Sequence, residues 1–379
     1  MAISKRFFRV ARIVIVTAAV VSAGACSSAS STPTTSNSGG TGTDSSGVAK
    51  ATALVNANEK PPSSIGVTTP VPGTIPGGKR IAFMECGLPA CTQEVADFEQ
   101  AASFLHWTVE NINEGETAAT VTNAWNQLVS NPPDAVVSMS QPLSETATQI
   151  AELDTKGVPV VGIGSLDQPH ANILVVDNGA KDLGFQAELQ AAIVADNSKG
   201  AGTAVWLSTP AFPVLVTAQN DFQSYLKQYC PSCGYKTLVL GATDIGSPTL
   251  PTKIVSYLRA NPSVHYVVAG FDDELIGVPS ALSEAGLSGT VKLVGGGPSV
   301  TELPYIKSGE EQWSLSLPEG EFAFLMADAL ARHFVHASVA PDQIVSPRQI
   351  LTPASITSLT QLPDVPNYAA QFEALWTTS

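Results

Sequence analysis

Basic residues are scarce in this sequence. Lys and Arg number 19 against 33 Asp and Glu, and the formal net charge is −14. Four of the basic residues, Lys5, Arg6, Arg9 and Arg12, crowd into the first dozen positions without an acid. A chain so poor in positive charge lacks the electrostatic footprint for nucleic acid or an anionic membrane surface. Charge of either sign is thin, at 14% of residues against 44% apolar, which suits a large buried core. Catalytic signatures are missing too. There is no G-x-S-x-G elbow and no H-E-x-x-H, and the G-G-G at 295–297 lacks the G-K-[ST] of a phosphate loop. His333 and His336 form an i, i+3 pair without further ligands, a weak case for a metal. No cofactor and no enzyme activity are expected.

Long apolar runs are also lacking. The run 13–25 follows the basic cluster, is shorter than the about 20 residues of a membrane span, and ends in small residues. It reads as a secretory signal over 1–25. The ending A-G-A-C, followed by Ser27 and Ser28, resembles a bacterial lipobox, with Ala23 where Leu is usual. That resemblance implies diacylation of Cys26, and two acyl chains give stable anchoring. Removing the leader, with its four basic residues and no acid, takes the charge from −14 to about −18. Four cysteines then remain: Cys86, Cys91, Cys230 and Cys233. An even number in an exported chain predicts two disulfides. Proximity favours Cys86–Cys91 and Cys230–Cys233, although three pairings exist. C-P-S-C has a redox spacing, but it ends a helix pattern rather than starting one, so a structural bridge is expected. Residues 26–78 read as the lipidated Cys and a Ser/Thr/Gly/Pro tether, disordered and then extended, with a loose helical turn or two at 51–59.

From Lys79 onward, strand and helix patterns alternate. Short apolar runs predict strands at 80–84, 107–111, 135–139, 159–163, 173–176, 204–208, 237–240, 266–269, 292–294 and 312–316. Helical spacing predicts helices between them, such as 92–105 with Ala96, Phe98, Ala101, Ala102 and Leu105 on one face. Trp107, Trp125 and Trp206 are expected in the core. The alternation means βαβ units with parallel sheets, and about ten of them exceed one comfortable core. Ligands of such sheets bind outside the strand carboxyl ends.

The ordered set G-K-R-I-A-F (78–83), N-P-P-D-A-V-V (131–137), K-G-V-P-V-V-G-I (156–163), V-V-D-N (175–178), F-D-D-E-L-I-G (271–277) and K-L-V-G-G-G (292–297) resembles type I periplasmic solute-binding proteins of the sugar-binding, ribose-like group. The resemblance implies an α/β fold of two Rossmann-like lobes joined by three hinge segments. On this chain it implies lobe one at 79–177 and 298–343, and lobe two at 178–297 and 344–379. Hinges then fall near 176–178, 295–298 and 345–348. It implies a ligand cleft with Glu85, Gly87 and Ser165 from lobe one, and Phe212, Asp244, Phe271, Asp272 and Asp273 from lobe two. Asp273 is the leading hydroxyl acceptor, and Phe212 and Phe271 are stacking surfaces. One of Asp272 and Asp273 can equally serve as a helix cap.

Two departures weaken a common sugar as ligand. The family often has an Asp-Arg pair after the fourth strand, where this chain has Ser165 and no Arg. It also has an Arg where this chain has Ala218. Without those guanidinium forks, bidentate recognition of vicinal hydroxyls is lost. The acids that remain suit a hydroxyl-rich neutral or cationic ligand. The resemblance thus implies a monomeric, lipid-anchored binding protein on the extracytoplasmic face of the cell membrane, with ABC permease subunits as partners. A ligand sensor for a membrane signalling receptor, or a binder of a cationic or aromatic molecule, is the alternative.

Overall fold

The computed structural model describes residues 45–85, 89–115, 117–139, 143–163, 166, 171–175, 179–339 and 345–379. The chain opens with α1 (Ser45–Asn58) and β1 (Thr74–Ile75). The first lobe then alternates β2 (Arg80–Glu85), α2 (Pro89–Phe104), β3 (Thr108–Asn113), α3 (Ala118–Ser130), β4 (Ala135–Met139), α4 (Ala147–Thr155), β5 (Val160–Ile163) and β6 (Ile173–Val175). The second lobe follows with α5 (Ala180–Asn197), β7 (Thr203–Ser208), α6 (Pro213–Tyr229), β8 (Gly234–Val239), α7 (Leu250–Ala260), β9 (Tyr266–Val268), α8 (Val278–Glu284), β10 (Lys292–Val294), α9 (Leu303–Ser308) and β11 (Ser314–Leu315). Then come α10 (Glu319–Phe334), β12 (Ile350–Leu351), α11 (Tyr368–Glu373) and β13 (Thr377–Thr378).

The two main sheets are parallel and ordered β3-β2-β4-β5-β6 and β8-β7-β9-β10. In each, the first strand sits inside and the order reverses beside it, which is the switch point where doubly wound sheets bind ligands. Runs such as Ile81, Ala82, Phe83 and Met84 are buried throughout because helices cover both faces. Trp125 and Trp206 are fully buried and Trp107 nearly so, as expected of core residues. Cys230 and Cys233 are disulfide-bonded between α6 and β8. Cys26 and Cys86 lie outside the described residues. No helix among the described residues is long and apolar enough to cross a membrane.

Several expected boundaries move. Packed structure is present well before Lys79: α1 buries Ala51 and Val55 against α5 and α6 of lobe two. Residues expected to be an extended tether then bury Ile65, Val67, Val71 and Ile75 in the core of lobe one. Residues 298–315 belong with lobe two rather than lobe one. Trp313 bridges β10, and Leu315 joins the core under the second sheet. Between Leu315 and Phe322 the chain crosses to lobe one, where α10 lies in the core. It returns before Ile350, as β12 pairs antiparallel with β11. The C-terminal end goes the other way from expectation. Val365, Phe372 and Trp376 enter the lobe-one core, and β13 pairs with β1.

These changes explain why α10 is buried on every side. The N-terminal strap and C-terminal segment enclose it: Trp376 Nε1 donates to Asp328 (2.8 Å), and Arg332, paired with Asp328, donates to Thr69 O (2.5 Å). The strap and the 352–364 segment therefore pass between lobes in addition to the expected hinges. The hinge residues 176–178 lie outside the described residues. Gly295 and Gly296 are required by close approach rather than by unusual φ. A Cβ on Gly295 would collide with the Asp272 carboxylate, and one on Gly296 with the Gly270 carbonyl.

Candidate functional site

The strand ends place the expected residues unequally. Glu85 ends β2, buried, and accepts from Asn111 Nδ2 of the neighbouring β3 (3.0 Å). Phe212 precedes α6 and Phe271 follows β9. Their rings meet edge-to-face with centroids 6.4 Å apart, which brings the two expected aromatic surfaces together. Gly87 and Ser165 lie outside the described residues.

The three aspartates separate by role. Asp244 is taken up by its own loop: Lys253 Nζ and the Gly241 N–H both donate to Oδ2, each at 2.7 Å. The Lys253 contact holds its carboxyl below the ordinary range. Asp272 is fully buried and serves the hinge. Its Oδ1 accepts from the N–H groups of Gly296 (2.7 Å) and Gly297 (3.0 Å), and Oδ2 from the Ser314 hydroxyl (2.5 Å). Those bonds leave it little to offer a ligand. Asp273, half-buried, accepts no hydrogen bond among the described residues. Burial and the neighbouring Asp272 raise its pKa. Of the three aspartates it is the one that accepts no hydrogen bond among the described residues.

Behind this loop, Glu274 receives Thr209 Oγ1 (2.6 Å) and the Gly270 N–H (3.0 Å), so the turns after β7 and β9 are fixed to each other. Burial pushes its carboxyl up to about 7.

A second group of residues was not singled out from the sequence. A cavity of ≈370 Å³ is lined by Asp97, Val300, Glu319, Gly320, Thr360, Gln361, Leu362, Asp364 and Tyr368. Lobe one contributes Asp97 from α2 and Glu319 from the start of α10. Val300 comes from lobe two, and 360–362 from the passage between them. Burial, then the charges of Asp97, Asp364 and Asp273, push Glu319 up to about 8. The charge that follows β9 in lobe two is therefore felt at the start of a lobe-one helix. Asp364 accepts from the N–H groups of Val365 (2.6 Å) and Glu321 (3.2 Å), and so caps α10. Burial raises its pKa to about 6. Gly320 is needed here because a Cβ would strike the Tyr368 hydroxyl and Asp364. Glu319 stood in a loop that the strand order marks as ligand-facing. Asp97 gave no signal, since an acid inside a helix reads as a solvated face.

Residues 90–336 match the family model described as periplasmic binding protein domain. The chain belongs to that family. The periplasmic binding fold is also evident among solved structures. A 5-methylthioribose transporter solute-binding protein from Thermotoga lettingae superposes with TM-score 0.64 at 16% identity, covering 81% of this chain and 100% of that one. A glucose-galactose binding protein from Geobacillus stearothermophilus gives 0.62 at 15%, covering 74% and 99%. A periplasmic ribose ABC transporter protein from Conexibacter woesei gives 0.64 at 13%, covering 75% and 95%. No curated protein matches the chain by sequence. Identities this low establish the type I periplasmic-binding architecture and leave the ligand to be argued from this chain's own residues.

Proposed function

We propose that the protein is an extracytoplasmic solute-binding protein of an ABC importer that captures a small sugar-like or polyol ligand between its lobes. The observation that carries this reading is the cavity of ≈370 Å³ with walls from both lobes. Its volume suits a small polar molecule. Family membership and solved relatives named for methylthioribose, glucose-galactose and ribose support the same reading. Asp273 supplies an acceptor for hydroxyls, and Phe212 and Phe271 an apolar face. A ligand touching both lobes stabilises the closed arrangement over the open one, and that difference is what a permease reads. No residue set for covalent or acid–base chemistry is needed.

Cys26 is the proposed lipid anchor. The test is a thermal-shift screen of delipidated protein against sugars and polyols, with Asp273→Ala alongside. A ligand at 100 times its Kd should contribute about 2.7 kcal/mol to stability. A ligand that shifts the variant as far as the wild type removes Asp273 from the site.

A further inference from the structure

The crossing from α1 to the lobe-one strap is short, stiff and fastened at both ends. On the lobe-two side, α1 buries Ala51 and Val55 against α5 and α6. Gly47 lies so close that a Cβ there would stand 2.5 Å from the Tyr229 carbonyl oxygen at the end of α6. Thr52 Oγ1 donates to Asp196 of α5 (2.5 Å). On the lobe-one side, Ile65, Val67, Val71 and Ile75 are no more than 3% exposed. Gln371 of α11 holds the point of arrival, accepting from the Ile65 N–H (3.3 Å) and donating to the Ser63 carbonyl (3.3 Å). Further on, the Val71 N–H donates to the Leu375 carbonyl (2.9 Å).

Only residues 59–64 lie between these anchors. Fully extended, a segment of that length reaches about 21 Å at most. Pro61 and Pro62 shorten that reach and stiffen it, because proline-rich chain holds to about 3.1 Å per residue. The crossing runs beside a hinge. Gln349 Nε2 of the return passage donates to the Glu59 carbonyl (2.9 Å). Beyond Glu59 it spans a cavity of ≈450 Å³, floored by Phe185 of α5 and by Val345–Arg348 of the return passage. Glu59, Lys60, Pro61, Ser63 and Ser64 are all exposed, so the crossing adds little to either core. What a short link of this kind does is set how far its two anchors move apart or together when the lobes rotate.

We propose that the crossing at 59–64 is a stop on lobe rotation, which excludes the widest openings from the ligand-free protein. A protein that spends less time far from its binding-competent arrangement loses less apparent affinity to the change of shape. That consequence rests on the binding-protein reading; the stop itself does not. The test places a flexible Gly/Ser insert of about twelve residues between Pro61 and Pro62 of the full mature chain. A control carries the same insert after Gly289, in an exposed turn of lobe two. Small-angle scattering without any ligand should give the first variant a radius of gyration about 1 Å or more above the control, on the about 20 Å of a domain of this size. Its Tm should stay within about 4 °C of the control, because lengthening a loop costs little closure entropy. The double change Pro61→Gly, Pro62→Gly keeps the length and removes the stiffness, and should raise the radius of gyration by a smaller amount. A radius of gyration that neither variant raises overturns the stop. A Tm that falls much further than the control's shows that the crossing acts through packing, and overturns it too. No ligand enters these measurements, so either failure leaves the binding-protein reading in place.

Discussion

Arg348 gives the sharpest test of how the hinge is held. It lies on the return passage to β12, and its side chain and that of Asp182 are both fully buried. Nη2 pairs with Asp182 Oδ2, Nε lies 3.3 Å from Oδ1, and Nη1 donates to the Ser316 carbonyl at 3.0 Å. Ser316 stands on the outward passage to α10, and Asp182 on the first turn of α5. One guanidinium therefore ties two interlobe passages to the second lobe. Arg348→Met keeps most of the stem but leaves Asp182 buried without a partner. Removing one member of a buried pair costs about 3–5 kcal/mol, and an orphaned carbonyl about 1–3 more, with overlap between the two. A loss of about 4 kcal/mol is expected from urea denaturation, read as a lower midpoint at unchanged slope. The double change Asp182→Leu, Arg348→Met should regain most of it, because no charge is left stranded. A single variant that loses under about 1 kcal/mol, or a double variant as weak as the single, would refute the reasoning.

Three further outcomes are expected. Glu319 rises from an ordinary 4.5 to about 8 in the folded chain, so folding binds its proton more tightly; ligand-free stability should fall as pH climbs between those values, by on the order of 5 kcal/mol. Glu94 acts with the same sign, and Glu319→Gln should flatten the Tm profile between pH 5 and 8.5; an unchanged slope counts against the buried-acid cluster. Glu311 is fully buried beside Asp272, and burial together with that neighbour pushes its pKa well up. Glu311→Gln, which mimics the neutral acid, should alter stability by less than about 1 kcal/mol at pH 7, whereas a loss beyond about 2 in urea denaturation would contradict that upward shift. A chain starting at Lys79 lacks α1 and the strap, and should bind a hydrophobic dye and melt well below the full chain; equal melting points would show that the strap adds nothing.

The two main sheets were readable because each strand is a short apolar run between turn residues. The runs at 135–139 and 292–294 coincide with β4 and β10, and most others shift by a residue or two. β8 starts earlier than expected, since Tyr235, Lys236 and Thr237 occupy a half-buried edge where polar residues are tolerated. Elements whose burial depends on a distant partner were not readable. The helix α1 has small residues and little amphipathic signal, and Ala51 and Val55 gain meaning only against α5. Ile65, Val67, Val71 and Ile75 sit among prolines, and the partner that covers them is α10, more than 240 residues away. At the candidate site, Phe212, Phe271 and Asp273 could be placed because they follow strands. Asp97 could not, because only tertiary packing brings that part of α2 to the cavity.

The most direct measurement is small-angle scattering of the full mature domain, with and without the best-stabilising sugar or polyol from the thermal-shift screen. Closure on a ligand between the lobes should lower the radius of gyration at saturating ligand, and Asp273→Ala should need a higher concentration to reach it. A Tm and radius of gyration that none of these ligands changes would contradict a solute-binding role.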